Sequence, residues 1–341
     1  MNTITLADVA RAAGVSPSTA SRVLSGSRPV GSDVAARVHR VADELGYTGN
    51  GVARALRKRR TDSVGMVVPS ILNPFFAGLV DSIEAALHDS GMQLLLCDAR
   101  QSPDVEAAHL RALVERNVDG IVVSPCHSTA SIDAVGRAAA IVPVVQLDRW
   151  VDVQGTDWVG MDDHRALRMV LEHLVGTSAR SVAFLTSELT NSSTADRVRG
   201  FRENAAALGL TVVPDGVVLG DFSVESGQAA AETLLARGDR PDAIVCADDL
   251  IAIGVLSACR ARGIGVPRDV QVTGIDDIDF GRYVVPTLTT LAQPTVRMAA
   301  EVMRLLGERV SFAVNGAAPR DATRLALSPR LVVRESTRAV S

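Results

Sequence analysis

Two groups of residues in this 341-residue chain have types and spacings suited to chemistry. The first lies in "GVSPSTASR", residues 14–22. Ser16, Ser18 and Thr19 carry short hydroxyls, and Arg22 follows Ser18 by four positions, on the same face if the segment is helical. Small hydroxyl residues let a backbone approach a partner closely. A guanidinium forks onto a phosphate or onto guanine O6 and N7. The second group is acidic: Asp148, Asp162, Asp163, Asp248, Asp249, Asp276 and Asp277 gather where apolar runs end. Two such carboxylates could cleave a glycoside. Without an activated partner they only accept hydrogen bonds, as from a hydroxyl-rich ligand. No GxSxG, no His pair at metal spacing, no GxGxxG and no GxxxxGK[ST] accompanies them. The sequence therefore argues against an enzyme, a metal site and a nucleotide cofactor, and no cofactor is expected.

The first group sits within three short predicted helices. Thr5 and Asp8 form a capping box with Asp in place of Glu. Leu6, Val9, Ala10 and Ala13 then make one apolar stripe, which Gly14 ends. Ser16 is an N-cap and Pro17 suits the first helical position. This second helix turns Ala20, Val23 and Leu24 inward. A third, from Ser32 to Gly46, buries Val34, Val38, Val41, Ala42 and Leu45. Two short helices joined by a Gly-containing turn, with a third behind, make a helix-turn-helix. Its second helix enters the DNA major groove N-terminus first. Ser16 and Thr19 would then bond phosphates, Ser18 and Arg22 base edges, and Pro17 a thymine methyl. A three-helix packing module without nucleic acid is the alternative.

Charge favours the DNA reading. Residues 1–60 hold ten Arg or Lys and four acids, a net +6. The remaining 281 residues hold 25 bases and 35 acids, a net −10. A basic head on an acidic body suits a polyanion at the head alone, although a solvated basic face would carry the same charge. No apolar run approaches the ~18 residues of a membrane span. The N-terminus has no basic start followed by an apolar block, so a cytoplasmic location is expected. Cys97, Cys126, Cys246 and Cys259 lack redox or metal spacing and read as buried thiols.

After Ser63, strand-like runs such as "SVGMVVP", "DGIVVSP" and "SVAFLTS" alternate with amphipathic helical segments. Continuous apolar strands between helices imply parallel sheets covered on both faces. The acids would then lie at the strands' carboxyl ends, where open α/β sheets bind ligands.

"TLADVARAAGVSPSTASRVLSGSRPV" and "VADELGYTGNGVARALR" resemble the N-terminal domain of the lactose-repressor/purine-repressor (LacI/GalR) family. "NPFF", "VDGIV", "QLDR", "RVRGF", "CADDLIAIG", "VTGIDDIDF" and "PTLTTLAQP" resemble its effector domain. The resemblance covers nearly the whole chain. It implies an all-α helix-turn-helix domain at 1–49 and a hinge helix at 50–61. It further implies a two-lobed, periplasmic-binding-protein-like α/β domain at 62–341, with an N-lobe of about 62–161 and 293–322 and a C-lobe of about 162–292 and 323–336. In the hinge, Asn50 and Arg54 would contact DNA and Leu56 would wedge into the minor groove, a device that unstacks a base step. A segment this short does not hold a helix alone in water, and a flexible basic linker is the alternative. In the effector domain, Arg197 and Asp276 match the main polar ligands and Asp148 is a further acceptor. Phe75 and Phe222 are apolar walls, Asn73 is a weaker candidate, and Gln293 lies on the crossover between lobes. The family often has Asn where this chain has Asp248. Its usual Gly-rich turn is replaced by "TSELTNSS".

The resulting expectation is a homodimeric, allosteric transcriptional repressor. Its partners are an inverted-repeat DNA operator and a neutral sugar-like effector, with no membrane. A sugar-binding protein without a DNA role is the alternative, and a carbohydrate-active enzyme a more remote one.

Overall fold

Thr5 sets the first helix. Its hydroxyl accepts the Asp8 N–H at 3.3 Å, and the Asp8 carboxylate accepts the Thr5 N–H at 3.0 Å. This is the expected capping box, and it opens α1 (Leu6–Ala12). Gly14, at φ +65°, makes the turn into α2 (Pro17–Ser25), and α3 (Ser32–Glu44) packs behind both. The computed structural model describes residues 4–25, 30–47, 60–88, 90–237, 240–315 and 321–340. The proposed hinge residues Asn50, Arg54 and Leu56 lie outside the described residues.

The core of this three-helix unit is built from Val9, Ala10, Ala13, Ala20, Val23, Val38 and Ala42. Such small side chains allow close helix approach. Leu24, Val34 and Val41, expected inward, are only half-buried. Leu45 departs from expectation: it is 37% exposed, because it is the C-cap of α3, where the helical stripe ends.

Residues 62–341 form a second compact unit. Its strands run β1 (Ser63–Val68), β2 (Gln93–Asp98), β3 (Gly120–Val123), β4 (Val144–Leu147) and β5 (Asp157–Met161). They continue with β6 (Ser181–Ser187), β7 (Thr211–Gly220), β8 (Ala243–Cys246) and β9 (Gln271–Asp276), then β10 (Thr289–Ala292), β11 (Arg324–Leu327) and β12 (Arg330–Val332). The interleaved helices are α4 (Pro74–His88), α5 (Pro103–Glu115), α6 (Ile132–Ala139) and α7 (Asp163–Gly176). They are followed by α8 (Ser192–Ala207), α9 (Val224–Leu235), α10 (Asp249–Ala261) and α11 (Thr295–Asn315).

Two six-stranded sheets result, in the orders β11-β5-β4-β3-β1-β2 and β12-β10-β9-β8-β6-β7. The first is parallel throughout. The second is parallel except at its edge, where β12 runs antiparallel to β10. Strands buried on both faces explain the unbroken apolar runs: every residue of β1, β3, β4 and β8 is buried.

The chain passes between lobes after β5, after β10, and between β11 and β12. The last passage corrects the expected boundary. The N-lobe does not end at 322, because Arg324–Leu327 pair in parallel with Trp158–Met161 and Leu327 is buried in the N-lobe core. Only β12 and the tail beyond it return to the second sheet.

Glycines fix one contact that matters for the site. A Cβ at Gly227 or Gly254 would lie about 2.2 or 2.1 Å from a backbone carbonyl of the facing helix. α9 and α10 therefore meet backbone to backbone. Their N-terminal ends carry Phe222 and Asp248.

Candidate functional site

On the head, the N-terminal end of α2 is a cluster of exposed hydroxyls. The Ser16 hydroxyl accepts the Thr19 N–H at 3.2 Å and lies 2.9 Å from both the Ser18 and the Thr19 hydroxyls. Ser16 is thus the N-cap that its sequence context suggests. Ser16, Pro17 and Ser18 are exposed, and Thr19 is half-buried. The Arg22 Nε donates to the Ser18 carbonyl at 3.2 Å, which holds the guanidinium along the exposed face. Thr5 is exposed but already engaged in the capping box.

In the body, the sequence-derived residues converge. Asn73, Phe75, Asp148, Arg197, Phe222, Asp248 and Asp276 all line one cavity, together with Phe76, Arg149 and Ser193. Gln293 does not line it. It reaches the site through Asp276, whose Oδ1 accepts from Gln293 Nε2 at 2.8 Å.

Each carboxylate is placed by a strand end. Asp148 follows β4 at φ +63°, and Asp276 closes β9 at φ +116°. Such left-handed backbone is uncommon for non-glycine residues and collects at functional sites. The indole Nε1 of Trp158, on the neighbouring β5, donates to the Asp148 carbonyl at 3.0 Å and holds that turn. Asp248 caps α10: its Oδ1 accepts the Ile251 N–H at 2.8 Å. Its Oδ2 is buried without a partner, as is the Ser193 hydroxyl. Asn73 has a structural task as well, since its side chain accepts the Phe75 N–H at 2.9 Å at the start of α4.

Arg197 projects from α8 and is 4% exposed. Its Nε donates to Asp163 Oδ1 at 2.8 Å and its Nη1 to the Ala247 carbonyl at 2.7 Å. Burial alone would lower its pKa, but Asp163, Asp276 and Asp148 outweigh burial and raise it, so the guanidinium stays charged. Burial raises Asp163 to about 6, against the pull of Arg197. It raises Asp248 to about 6, against its backbone hydrogen bonds and Arg197. Asp276 is pushed well above the usual carboxylate range by burial, with Asp248 and Asp249 adding to the push against Arg197.

Three site residues, Phe76, Ser193 and Arg149, escaped the sequence reading, and a fourth, Asp163, was seen there only as one of the strand-end acids. Phe76 packs edge-on against Phe75, with centroids 5.2 Å apart. Ser193 lies in the first turn of α8. Asp163 anchors Arg197, and its signal was present in the acids after β5. Arg149 is the consequential one. It is 7% exposed, its Nε is 4.0 Å from Asp148 Oδ2, and it lies over the rings of Phe76 and Phe222. "QLDR" already displayed it beside Asp148. The acids Asp162, Asp249 and Asp277 have structural partners. Asp162 caps α7, Asp249 bonds Thr290 and the Ile278 N–H, and Asp277 pairs with Arg334. Among the described residues, no group of His, Cys, Asp or Glu is arranged to hold a metal.

Cys126, Cys246 and Cys259 are buried and Cys97 half-buried, and burial raises all four thiols. Burial thus works against thiolate formation at each of them.

An N-terminal helix-turn-helix joined to a two-lobed α/β body with a polar cleft defines a ligand-controlled DNA-binding regulator. Residues 5–50 match the family described as bacterial regulatory proteins, lacI family, and residues 171–337 a periplasmic binding protein-like domain. The chain is 31% identical to the HTH-type transcriptional repressor PurR of Haemophilus influenzae (strain PittEE), over 98% of this chain and 99% of that one. It is 32% identical to the HTH-type transcriptional regulator DegA of Bacillus subtilis (strain 168), over 98% of each. Among solved structures, it resembles the Lac repressor dimer bound to operator and the anti-inducer ONPF. That match has a TM-score of 0.87 and 26% identity, covering 99% of this chain and 100% of the other. It also resembles the transcriptional regulator CelR–cellobiose complex, with a TM-score of 0.73 and 33% identity, covering 98% and 99%. The chain belongs to the lacI family of bacterial regulatory proteins. It is a DNA-binding transcriptional repressor with an effector domain, and not an enzyme. No helix among the described residues is long and apolar enough to cross a membrane.

Proposed function

We propose that the repressor acts in the cytoplasm as a homodimer on an inverted-repeat operator and is controlled by a neutral, sugar-like effector. The observation that carries the effector reading is the convergence of Asp148, Asp248 and Asp276 on one cleft with Arg197 and Arg149. Three acceptors ask for a ligand rich in donors, and sugar hydroxyls supply them. Phe75 and Phe222 would cover the C–H faces of a ring. An anionic ligand would have to compete with the site's own carboxyl groups for Arg197 and Arg149 in a desolvated site, which is costly. The relative solved with cellobiose supports the same class.

On the DNA side, Ser16 and Thr19 would bond phosphates, Pro17 would touch a thymine methyl, and Ser18 and Arg22 would read base edges. Thr5 is expected near the backbone. Asn50 and Arg54 would contact the operator, with Leu56 as a minor-groove wedge. Two recognition helices related by a twofold axis require half-sites in inverted repeat. Closure of the lobes on the effector would change the spacing of the two hinges and so the free energy of docking. Such coupling is typically about 1–3 kcal/mol.

A mobility-shift titration with the operator, with and without a panel of neutral sugars and their phosphorylated and acidic relatives, tests this. A neutral sugar is expected to shift operator affinity. A response to anionic ligands alone, unaffected by Asp276→Asn, overturns the effector class.

A further inference from the structure

Residues 188–192 lead from β6 into α8, in the segment where the chain departs from its family's Gly-rich turn. Local bonds pin this loop to the C-lobe. The Glu188 N–H donates to the Gly220 carbonyl at 2.9 Å, and the Thr190 N–H to the Glu188 carbonyl at 2.7 Å. The Thr194 N–H donates to Asn191 Oδ1 at 3.0 Å, so Asn191 is the N-cap of α8. The Ser192 hydroxyl is not needed for that task.

It reaches the other lobe instead. Ser192 Oγ accepts the Trp150 N–H at 2.8 Å, and the Thr190 carbonyl accepts the Ser128 N–H at 2.7 Å. Both donors belong to the N-lobe, and both sit on turns that are themselves held. Trp150 follows β4, and the Arg324 guanidinium lies 3.9 Å from its ring centroid. Ser128 follows β3 in a turn built on His127, whose Nδ1 accepts the Thr129 and Ala130 N–H groups at 3.2 and 3.3 Å. Two fixed acceptors thus meet two fixed donors across the lobe boundary. Ser128, Trp150 and Ser192 do not line the acid-lined cavity. The two bonds join the lobes through protein atoms alone, and a lobe that swings away must break both.

We propose that residues 188–192 are a clasp that sets how far the closed arrangement of the lobes is populated, independently of the effector. A closed form that is already populated lowers the conformational cost of binding any ligand that selects it. The clasp itself does not depend on the effector's chemistry. Its consequence for DNA rests on the proposed coupling of lobe closure to docking.

Residue-resolved hydrogen exchange on the full-length protein, with no ligand added, tests this for Ser192→Ala, Ser192→Val and Ser192→Thr. Val and Thr share a shape and differ by the hydroxyl, so the pair separates the hydrogen bond from packing. The Ser128 amide is the decisive probe, because none of the substitutions touches its acceptor, the Thr190 carbonyl. Ser192→Ala and Ser192→Val are expected to speed exchange at Trp150 and at Ser128 alike by about two- to tenfold, the range set by one net hydrogen bond. Ser192→Thr is expected to hold both near the wild-type rate. Ser128 exchanging at the wild-type rate in Ser192→Ala overturns the proposal, since the two bonds then open separately. Exchange in Ser192→Thr as fast as in Ser192→Val overturns it too, since packing then matters and the hydroxyl does not. A mobility-shift titration of the same proteins reads the consequence. Ser192→Ala and Ser192→Val are expected to change operator affinity by about twofold or more, and Ser192→Thr to leave it unchanged. Joint exchange of the two amides with constant operator affinity upholds the clasp and overturns instead the coupling of lobe closure to docking.

Discussion

Arg197 and Asp163 form a buried ion pair, Nε to Oδ1 at 2.8 Å, with side chains 5% and 10% exposed. The pair joins α8 to the start of α7 and points Arg197 at the acids of the cleft. Removing one partner of such a pair leaves the other charged and desolvated, which typically costs about 3–5 kcal/mol. Asp163→Asn is therefore expected to destabilise the protein by a few kcal/mol in chemical unfolding and to weaken effector binding at least about tenfold. Unchanged stability with unchanged affinity would show that Asp163 does not position Arg197.

Arg22 tests the recognition helix. It is exposed and its Nε donates to the Ser18 carbonyl one turn back, so its substitution should spare the fold. Arg22→Ala is expected to lose about 1–3 kcal/mol of operator binding and to relax preference at one base pair. Wild-type binding should fall steeply with salt, since several phosphates are neutralised. Selection of binding sites by the variant is the decisive measurement. A variant with wild-type affinity and an unchanged site would remove Arg22 from base reading.

The parts most legible in the sequence are those determined locally. The Thr5–Asp8 box, the Gly14 turn and the Ser16–Pro17 start are each written within a few residues, and each is seen in the structure. Strand ends were legible because apolar runs stop at acids, so Asp148, Asp248 and Asp276 could be gathered before any fold was known. What escaped depends on distant packing. That Asp163 serves Arg197, 34 positions away, follows from the seating of α7 against α8. That Arg149 lies between phenyl rings of both lobes follows from their juxtaposition. Leu45 was misplaced because helical periodicity does not say where the helix leaves its core.

Leu56 stands in the sequence among the cations Arg54, Arg57, Lys58, Arg59 and Arg60. A wedge for DNA would fill no apolar core in the free protein. Leu56→Ala is expected to abolish the tight operator complex while leaving the melting temperature within a degree or two, about 0.5 kcal/mol or less at most surface sites. A loss of about 2–5 kcal/mol of stability would instead mark it as a core leucine.

Asp248 sets stability against function. It is 2% exposed, one oxygen caps α10, and the other has no partner. Burial lifts its pKa from 3.8 to about 6. A raised carboxyl pKa means that the folded state holds the proton more tightly than the unfolded chain. Its contribution to stability is complete below 3.8 and is lost as the pH rises through about 6. At pH 7 the ionised group therefore costs up to roughly 3 kcal/mol. Asn keeps an oxygen for the cap and removes the charge. Asp248→Asn is expected to stabilise the protein at pH 7 by about 1–3 kcal/mol, with the gain shrinking toward pH 4. The same substitution puts an amide donor where the free oxygen awaits a ligand hydroxyl, so effector affinity should fall. In the wild type, a donor-rich effector favours the ionised carboxylate, and affinity should rise between pH 5 and about pH 7 as the proton leaves. Thermal unfolding and calorimetry across that range check both halves. A stability gain independent of pH, or an affinity that falls as pH rises, would mean that Asp248 is not the buried acceptor that the effector meets.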